Sequence, residues 1–281
     1  MDINTAKRLL MAQFRESGVD TPDLDARLLV MAATGLSHTD MITRAEESLS
    51  AKARELITDY AARRLTGEPI DSILGYREFY GRSFKVSKDV LSPRPETEML
   101  VEAALEILKD KPMARILDLG TGSGAIVISI LAAAKEAEAV AVDLSNVAVE
   151  IARENAAAHF VMDRLILLEG SWFAPVSGHF DIILSNPPYI TSAAMEELDI
   201  EVKGFDPDIA LRGGEEGLTA YRAIIKQAAH YLQSDGILLF EIGYDQGVLV
   251  KDLLIEAGFK GISVHKDLSG HDRMIKAALK A

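Results

Sequence analysis

Apolar residues recur at helical spacing through the first part of the chain. Ile3, Ala6, Leu9, Leu10 and Phe14 fall on one helical face, and Gly18 stops the segment. Thr21 and Pro22 make a cap and first turn for a second helix over 24–33, closed by Gly35. Ser37 and Asp40 have the spacing of a capping box for a brief third helix. A fourth covers 50–65, ahead of Gly67 and Pro69. Together these predict a small helical bundle. From Ile73 to Val90 the period shortens to two: Phe84 and Val86 alternate with Lys85 and Ser87, and Phe79 and Tyr80 flank a turn at Gly81 and Arg82. That stretch predicts a β-hairpin joining two domains.

After Pro93 and Pro95, short apolar runs at 116–119, 139–142, 165–168, 182–184 and 237–240 alternate with helical segments at 96–108, 123–134, 145–158, 218–232 and 246–257. Such alternation predicts an α/β fold, a mostly parallel sheet covered on both faces with ligands at the C-terminal ends of its strands. The expected organisation is a helical bundle over 1–72, a hairpin linker over 73–91 and the sheet domain over 92–281. The most apolar stretch, 125–134, is broken by Ser129 and falls far short of the ~20 residues that span a bilayer. The first residues contain no continuous apolar leader core. A soluble, cytoplasmic protein with no membrane partner is expected.

Composition narrows the chemistry. The absence of cysteine excludes disulfides, a thiolate nucleophile and thiolate metal sites. The six histidines show no clustered ligand spacing, so no metal is implied. A net charge of -13 without any basic run repels phosphate backbones at long range, which argues against direct nucleic-acid binding.

Candidate chemistry sits at the ends of the apolar runs. Asp118, Leu119, Gly120, Thr121, Gly122, Ser123 and Gly124 follow the first of them, and the glycines allow a tight turn and close approach of backbone to a ligand. Gly120, Gly122 and Ala125 also satisfy a dinucleotide pattern, so the loop alone leaves a nicotinamide cofactor, S-adenosylmethionine (SAM) or no cofactor open. Asp118 tilts the balance, because a carboxylate beside the loop attracts the amino group of a methionine moiety and repels a pyrophosphate. Asp143 ends the second run, placed either to accept from both ribose hydroxyls or to take part in the helix cap at Ser145. Trp172, the only tryptophan, lines an adenine pocket or packs in the core. The segment Asn186-Pro187-Pro188-Tyr189 directly follows the fourth run. It reads as a grip on a planar NH2 group: the Asn186 side-chain oxygen and the Pro187 carbonyl accept from it, and the Tyr189 ring packs on it. A plain rigid turn is the competing reading. Ser123 lacks the spacing of a nucleophile elbow.

With these motifs in order, the chain resembles the release factor glutamine methyltransferases, the HemK/PrmC family. The resemblance rests on Glu68-Pro69-Ile70, Leu74-Gly75, Glu78 to Gly81, Pro93-Arg94-Pro95-Glu96-Thr97-Glu98, Asp118 to Gly124, Asn186 to Tyr189, Gly213-Gly214, Gly217-Leu218 and Glu241-Ile242-Gly243 with Gln246. It implies an N-terminal helical bundle, a β-hairpin linker and a seven-stranded, Rossmann-like SAM-dependent methyltransferase sheet whose last strand is antiparallel. It implies methylation of the side-chain amide of the glutamine in the Gly-Gly-Gln motif of class 1 peptide chain release factors. By motif position, Asp118, Gly120, Thr121, Gly122, Ser123, Gly124, Asp143, Trp172 and Asn186 would contact SAM. Asn186, Pro187, Pro188 and Tyr189 would hold the glutamine, with Asn186, Pro187 and Tyr189 catalytic. Ser92, where isoleucine is usual, and Arg212, where an acidic residue often stands, depart from the family pattern. The rivals are a methyltransferase acting on the adenine exocyclic amine of nucleic acid and a non-catalytic scaffold that keeps the fold.

Overall fold

Five helices build the start of the chain: α1 (Ile3–Glu16), α2 (Pro22–Thr34), α3 (His38–Thr43), α4 (Ala51–Leu65) and α5 (Ile70–Leu74). The structure is a computed structural model that describes residues 1–279, so the last two residues of the expected sheet domain lie outside the described residues. These divide into two compact units, 1–75 with 199–205, and 76–198 with the residues from 206 onward.

In the first unit, Ser37 and Asp40 form both bonds of the capping box, and the Ser50 hydroxyl accepts from the Ala53 N–H at the start of α4. Thr21 behaves differently from the sequence expectation. It makes no cap bond, and its hydroxyl donates instead to Asp25 Oδ1 at 2.7 Å. Asp25 Oδ2 accepts from Arg64 Nε at 2.8 Å, an ion pair between α2 and α4 whose side chains are 4% and 5% exposed. Around it Phe14, Leu29, Val30 and Ile57 form the core. Ile73 lies in α5 rather than in the hairpin, because Gly75 ends that helix with a left-handed φ of 77°.

The hairpin of β1 (Tyr76–Phe79) and β2 (Arg82–Lys85) opens the second unit. Its turn is formed by Tyr80 and Gly81, with φ of 49° and 66°, one residue earlier than predicted. A two-residue turn that matches the strand twist needs positive φ at both positions. Phe79 and Phe84 are buried in the same core as the central sheet. The buried Asn155 side chain ties β2 to the glycine loop: Oδ1 accepts from the Lys85 N–H at 2.7 Å, and Nδ2 donates to the carbonyls of Lys85 and Ser123 at 3.0 and 2.8 Å.

A single 3-10 turn (Pro95–Thr97) then leads through α6 (Glu98–Leu108), β3 (Arg115–Leu119), α7 (Ala125–Ala133), β4 (Glu138–Asp143), α8 (Asn146–Ala158), β5 (Leu165–Glu169) and β6 (Phe180–Ser185). The rest of the chain forms β7 (Ile190–Thr191), α9 (Ile200–Lys203), α10 (Asp208–Leu211), β8 (Arg212–Gly214), α11 (Thr219–Tyr231), β9 (Leu232–Glu241), α12 (Gly247–Glu256), β10 (Lys260–Lys266) and β11 (Asp272–Ala278). Seven strands pair in the order β10-β11-β9-β6-β3-β4-β5, and β11 runs antiparallel to both of its neighbours. Alternate residues serve the two faces: Ile116, Ala139, Ala141, Ile182 and Leu184 join the core under α6 and α7, while Leu117, Val140, Val142 and Ile183 join the core under α11 and α12. From β3 the order runs one way to β4 and the other way to β6, so the loops leaving these strands part and open a crevice at their C-terminal edge.

The Asp25–Arg64 pair provides a stability test. Asp25→Ala removes a carboxylate paired with the buried Arg64 guanidinium and should cost roughly 3 to 5 kcal/mol, whereas replacing both partners, Asp25→Leu with Arg64→Met, should recover part of the loss. Urea unfolding of the single and double variants measures both.

Candidate active site

The crevice is a cavity of about 310 Å³ walled by loops from four parallel strands. Gly120 and Gly122 come from the end of β3, Val142 and Asp143 from β4, Gly170 to Trp172 from β5, and Asn186 with Pro188 from β6. Sequence-distant residues meet here because parallel strands end at one edge.

Asp143 organises one side. Its Oδ2 accepts from the Gly122 N–H at 2.8 Å and its Oδ1 from the Ser145 N–H at 2.9 Å, so one carboxylate fixes both the glycine loop and the entry to α8. Burial raises its pKa, and the bonds from the Ser145, Gly122 and Leu144 N–H groups pull it back. Ser145 caps α8 by accepting from the Ala148 N–H at 3.3 Å. The loop is turned on Gly120, Gly122 and Gly124, all at positive φ. At Gly124 a Cβ would stand 2.6 Å from Ile128 Cδ1 and 3.2 Å from Ala152 Cβ, which shows that this glycine serves the packing of α7 on α8. At Gly120 the nearest atom is Trp172 Cζ3 at 3.6 Å. Trp172 itself has a φ of 47°, a left-handed conformation that costs a non-glycine residue about 1 to 3 kcal/mol, and it lies on the cavity wall.

Asp118 stands elsewhere. It is fully buried and does not line the cavity, and its Oδ2 accepts from the Thr121 hydroxyl at 2.6 Å. Burial pushes its carboxyl up to about 7, the Thr121 bond opposes this, and the charge of Asp143 adds to it. Thr121 and Ser123 are buried within the loop, and neither they nor Gly124 line the cavity.

The opposite side is the segment Asn186 to Tyr189. Asn186 Nδ2 donates to Thr97 Oγ1 at 3.3 Å, which leaves Oδ1 as the atom free for a ligand. The Thr97 hydroxyl donates to Glu241 Oε2 at 2.6 Å, and the Tyr189 hydroxyl lies 3.4 Å from Glu241 Oε1. Burial, and then the Glu241 charge, raise the Tyr189 pKa well above its ordinary value. Pro188 lines the wall, whereas Pro187, which is buried, and Tyr189, which is half-buried, are not among the lining residues. The main chain of Tyr189 is clamped. Its carbonyl accepts from Gln246 Nε2 at 3.1 Å, and a Cβ at Gly213 or Gly217 would approach its backbone to 2.8 or 2.4 Å. Gln246 Nε2 also donates to the Gly217 carbonyl at 3.2 Å, and its Oε1 accepts from the Gly243 N–H at 3.0 Å.

Thr97, Glu241 and Gln246 had only motif positions in the sequence, without roles. The available signal was placement: Glu241 ends an apolar strand, as Asp143 does. Arg212, which departs from the family pattern, stands on the cavity rim with its guanidinium donating to both Asp208 oxygens at 2.9 Å.

Similarity to known proteins converges on one family. The PrmC N-terminal domain family matches residues 6–75, and the Methyltransferase small domain family matches residues 96–201. A release factor glutamine methyltransferase of Agrobacterium fabrum is 40% identical over 280 residues, covering 98% of this chain and 97% of its own length. One of Bradyrhizobium diazoefficiens is 42% identical over 279 residues, covering 98% and 94%. A solved methyltransferase from Pyrococcus furiosus superposes with a TM-score of 0.54 at 17% identity, covering 80% of this chain and 100% of its own, a likeness of fold alone. By identity sustained along nearly the full length of such relatives, the chain belongs to the release factor glutamine methyltransferase family.

Proposed function

We propose that this enzyme transfers a methyl group from SAM to the side-chain amide nitrogen of the glutamine in the Gly-Gly-Gln motif of class 1 release factors, in the cytoplasm. The observation that carries the proposal is that the Asp143 and Gly120 side and the Asn186 side wall one cavity. The donor set fits the cofactor. Asp143 keeps acceptor capacity on both oxygens for ribose hydroxyls, Gly120 and Gly122 let the loop backbone come close, and Trp172 offers an aromatic face. Asp118, held off the wall, contributes through Thr121 and its charge. When bound, SAM supplies an electrophilic sulfonium methyl.

The chain's own residues then have to orient a poor nucleophile, because an amide lone pair is delocalised. Asn186 Oδ1 and the Pro187 carbonyl accept the two N–H bonds of the glutamine, fixing its plane, and stabilise the positive charge that develops at nitrogen. Tyr189 supports the grip from behind. No general base is needed, since an N-alkylated amide cation loses its proton readily. The rival amine of a nucleic-acid base is disfavoured by the net charge of -13. No helix among the described residues is long and apolar enough to cross a membrane. A glutamine in a glycine-rich loop carries little side-chain information, so the helices of 1–72 are assigned the recognition of the rest of the release factor.

Asp143→Ala should weaken SAM binding by about 1.5 to 3 kcal/mol, the range for hydrogen bonds to a charged group. Unchanged affinity in calorimetric titration of a folded variant would refute that role. Asn186→Ala should slow single-turnover methylation far more than it weakens SAM, since alignment acts in the transition state. Tyr189→Phe should be milder than Tyr189→Ala in the same assay. Removing residues 1–75 should spare SAM titration yet strongly lower kcat/KM on intact release factor. Equal efficiency of the truncated and full chains would exclude the helices as the recognition element.

A further inference from the structure

We infer that Glu241 and Thr97 are positioning residues that set which end of the Asn186 amide faces the glutamine. When Glu241 is ionised its carboxylate can only accept, so the single Thr97 hydroxyl proton then points to Glu241 Oε2, 2.6 Å away. Thr97 Oγ1 then has only lone pairs for Asn186 and takes the Nδ2 donor at 3.3 Å. Asn186 Oδ1 is thereby left for the ligand. Glu241 is 3% exposed and Thr97 is 3% exposed, so water does not compete for these bonds. The second Glu241 oxygen faces the Tyr189 hydroxyl, which gives the same carboxylate a hold on the other end of the tetrapeptide.

The relay has a second state. With Glu241 protonated, its O–H can donate to Thr97 Oγ1, Thr97 can donate to Asn186, and the amide turns to present NH2. Two NH2 groups, that of Asn186 and that of the target glutamine, then oppose each other with no acceptor between them. Burial pushes the Glu241 carboxyl up to about 7, with the Thr97 bond and the Arg273 charge lowering it, Glu96 raising it and the Tyr189 bond lowering it. The groups around it are thus Thr97 and Glu96 on the 3-10 turn, Tyr189 behind Asn186, Arg273 on β11, and Tyr221 on α11, whose hydroxyl donates to the Glu241 carbonyl at 2.9 Å. The low-pH form is the misoriented one, so methyl transfer rises as pH increases through the Glu241 titration.

The consequence for catalysis rests on the amide-methylation reading, while the orientation itself can be observed without it. Single-turnover methylation of intact release factor is followed from about pH 5.5 to 8.5, a range that brackets the titration. The parent should lose about tenfold per pH unit on the acid side, and Glu241→Gln, whose amide oxygen still accepts from Thr97, should lose that limb. Thr97→Val should lower the rate by about tenfold or more at unchanged SAM affinity, and Thr97→Ser should restore most of it. Persistence of the acid limb in Glu241→Gln, or a parental rate in folded Thr97→Val, overturns the inference. In isotope-labelled protein without substrate, the Asn186 side-chain amide resonance should titrate with the limb and stop doing so in Glu241→Gln. A parent inactive on release factor at every pH would defeat the proposed function, and the resonance would still decide the orientation: a shift that titrates supports it, and one that is flat in the parent overturns it.

Discussion

Ionised carboxylates accept hydrogen bonds and never donate them, and two carboxyl groups at strand ends organise opposite sides of the cavity through the donors they draw in. Asp143 draws the Gly122 and Ser145 N–H groups onto itself, which fixes the glycine loop against the start of α8. Glu241 draws in the hydroxyls of Thr97 and Tyr189 and so reaches the tetrapeptide on the opposite wall. In both cases burial raises the carboxyl pKa, and directed donors return part of what desolvation removes. A hydroxyl in either place would leave the direction of each bond undetermined, because the same oxygen donates as well as accepts.

Around these anchors the main chain is held by shape. Gln246 has its amide engaged on both ends: Oε1 accepts from the Gly243 N–H, with the Tyr221 hydroxyl shared between it at 3.3 Å and the Glu241 carbonyl at 2.9 Å, and Nε2 donates to the Tyr189 and Gly217 carbonyls. It therefore locks the end of β9 to the segment after β6. Gly213 and Gly217 lack a side chain because the Tyr189 backbone occupies the place where a Cβ would stand. The two prolines remove backbone freedom from the same segment before any ligand arrives. This preorganisation is what a weak nucleophile demands, since a loose acceptor would spend binding energy on ordering itself.

Local devices were readable from sequence, and long-range ones were not. Helix faces, the Ser37–Asp40 box and the glycine loop each depend on residues a few positions apart, and all of these form. The last two strands escaped periodicity because 260–266 and 272–278 mix charged with small apolar residues, and β10 leaves most of its side chains partly or fully exposed. The resemblance supplied the antiparallel last strand that periodicity did not. Strand-end placement brought Asp143 and Asn186 to one cavity, but the same logic overreached at Asp118. That residue ends up under the loop, because the chain turns at Gly120 and Thr121 and both N–H groups there donate to the Val142 carbonyl. Glu241 lies 55 positions from Asn186 and 144 from Thr97, so nothing local linked them. The left-handed backbone of Trp172 has no sequence signature at all.

The choice left open by the glycine loop alone, dinucleotide or sulfonium, turns on charge. Asp118 and Asp143 stand close enough that the charge of one raises the carboxyl pKa of the other, and both are largely withdrawn from water. In such surroundings a full negative charge is screened far less than at a surface, so a pyrophosphate drawn to the loop would meet repulsion that its contacts with backbone N–H groups must overcome. A sulfonium and an ammonium, by contrast, relieve the desolvated carboxylates, and so does positive charge growing on an amide nitrogen near Asn186. On the proposed reading, the same burial that makes these acids costly for the fold favours cationic groups in the cavity, and ties the ground-state ligand and the transition state to one field.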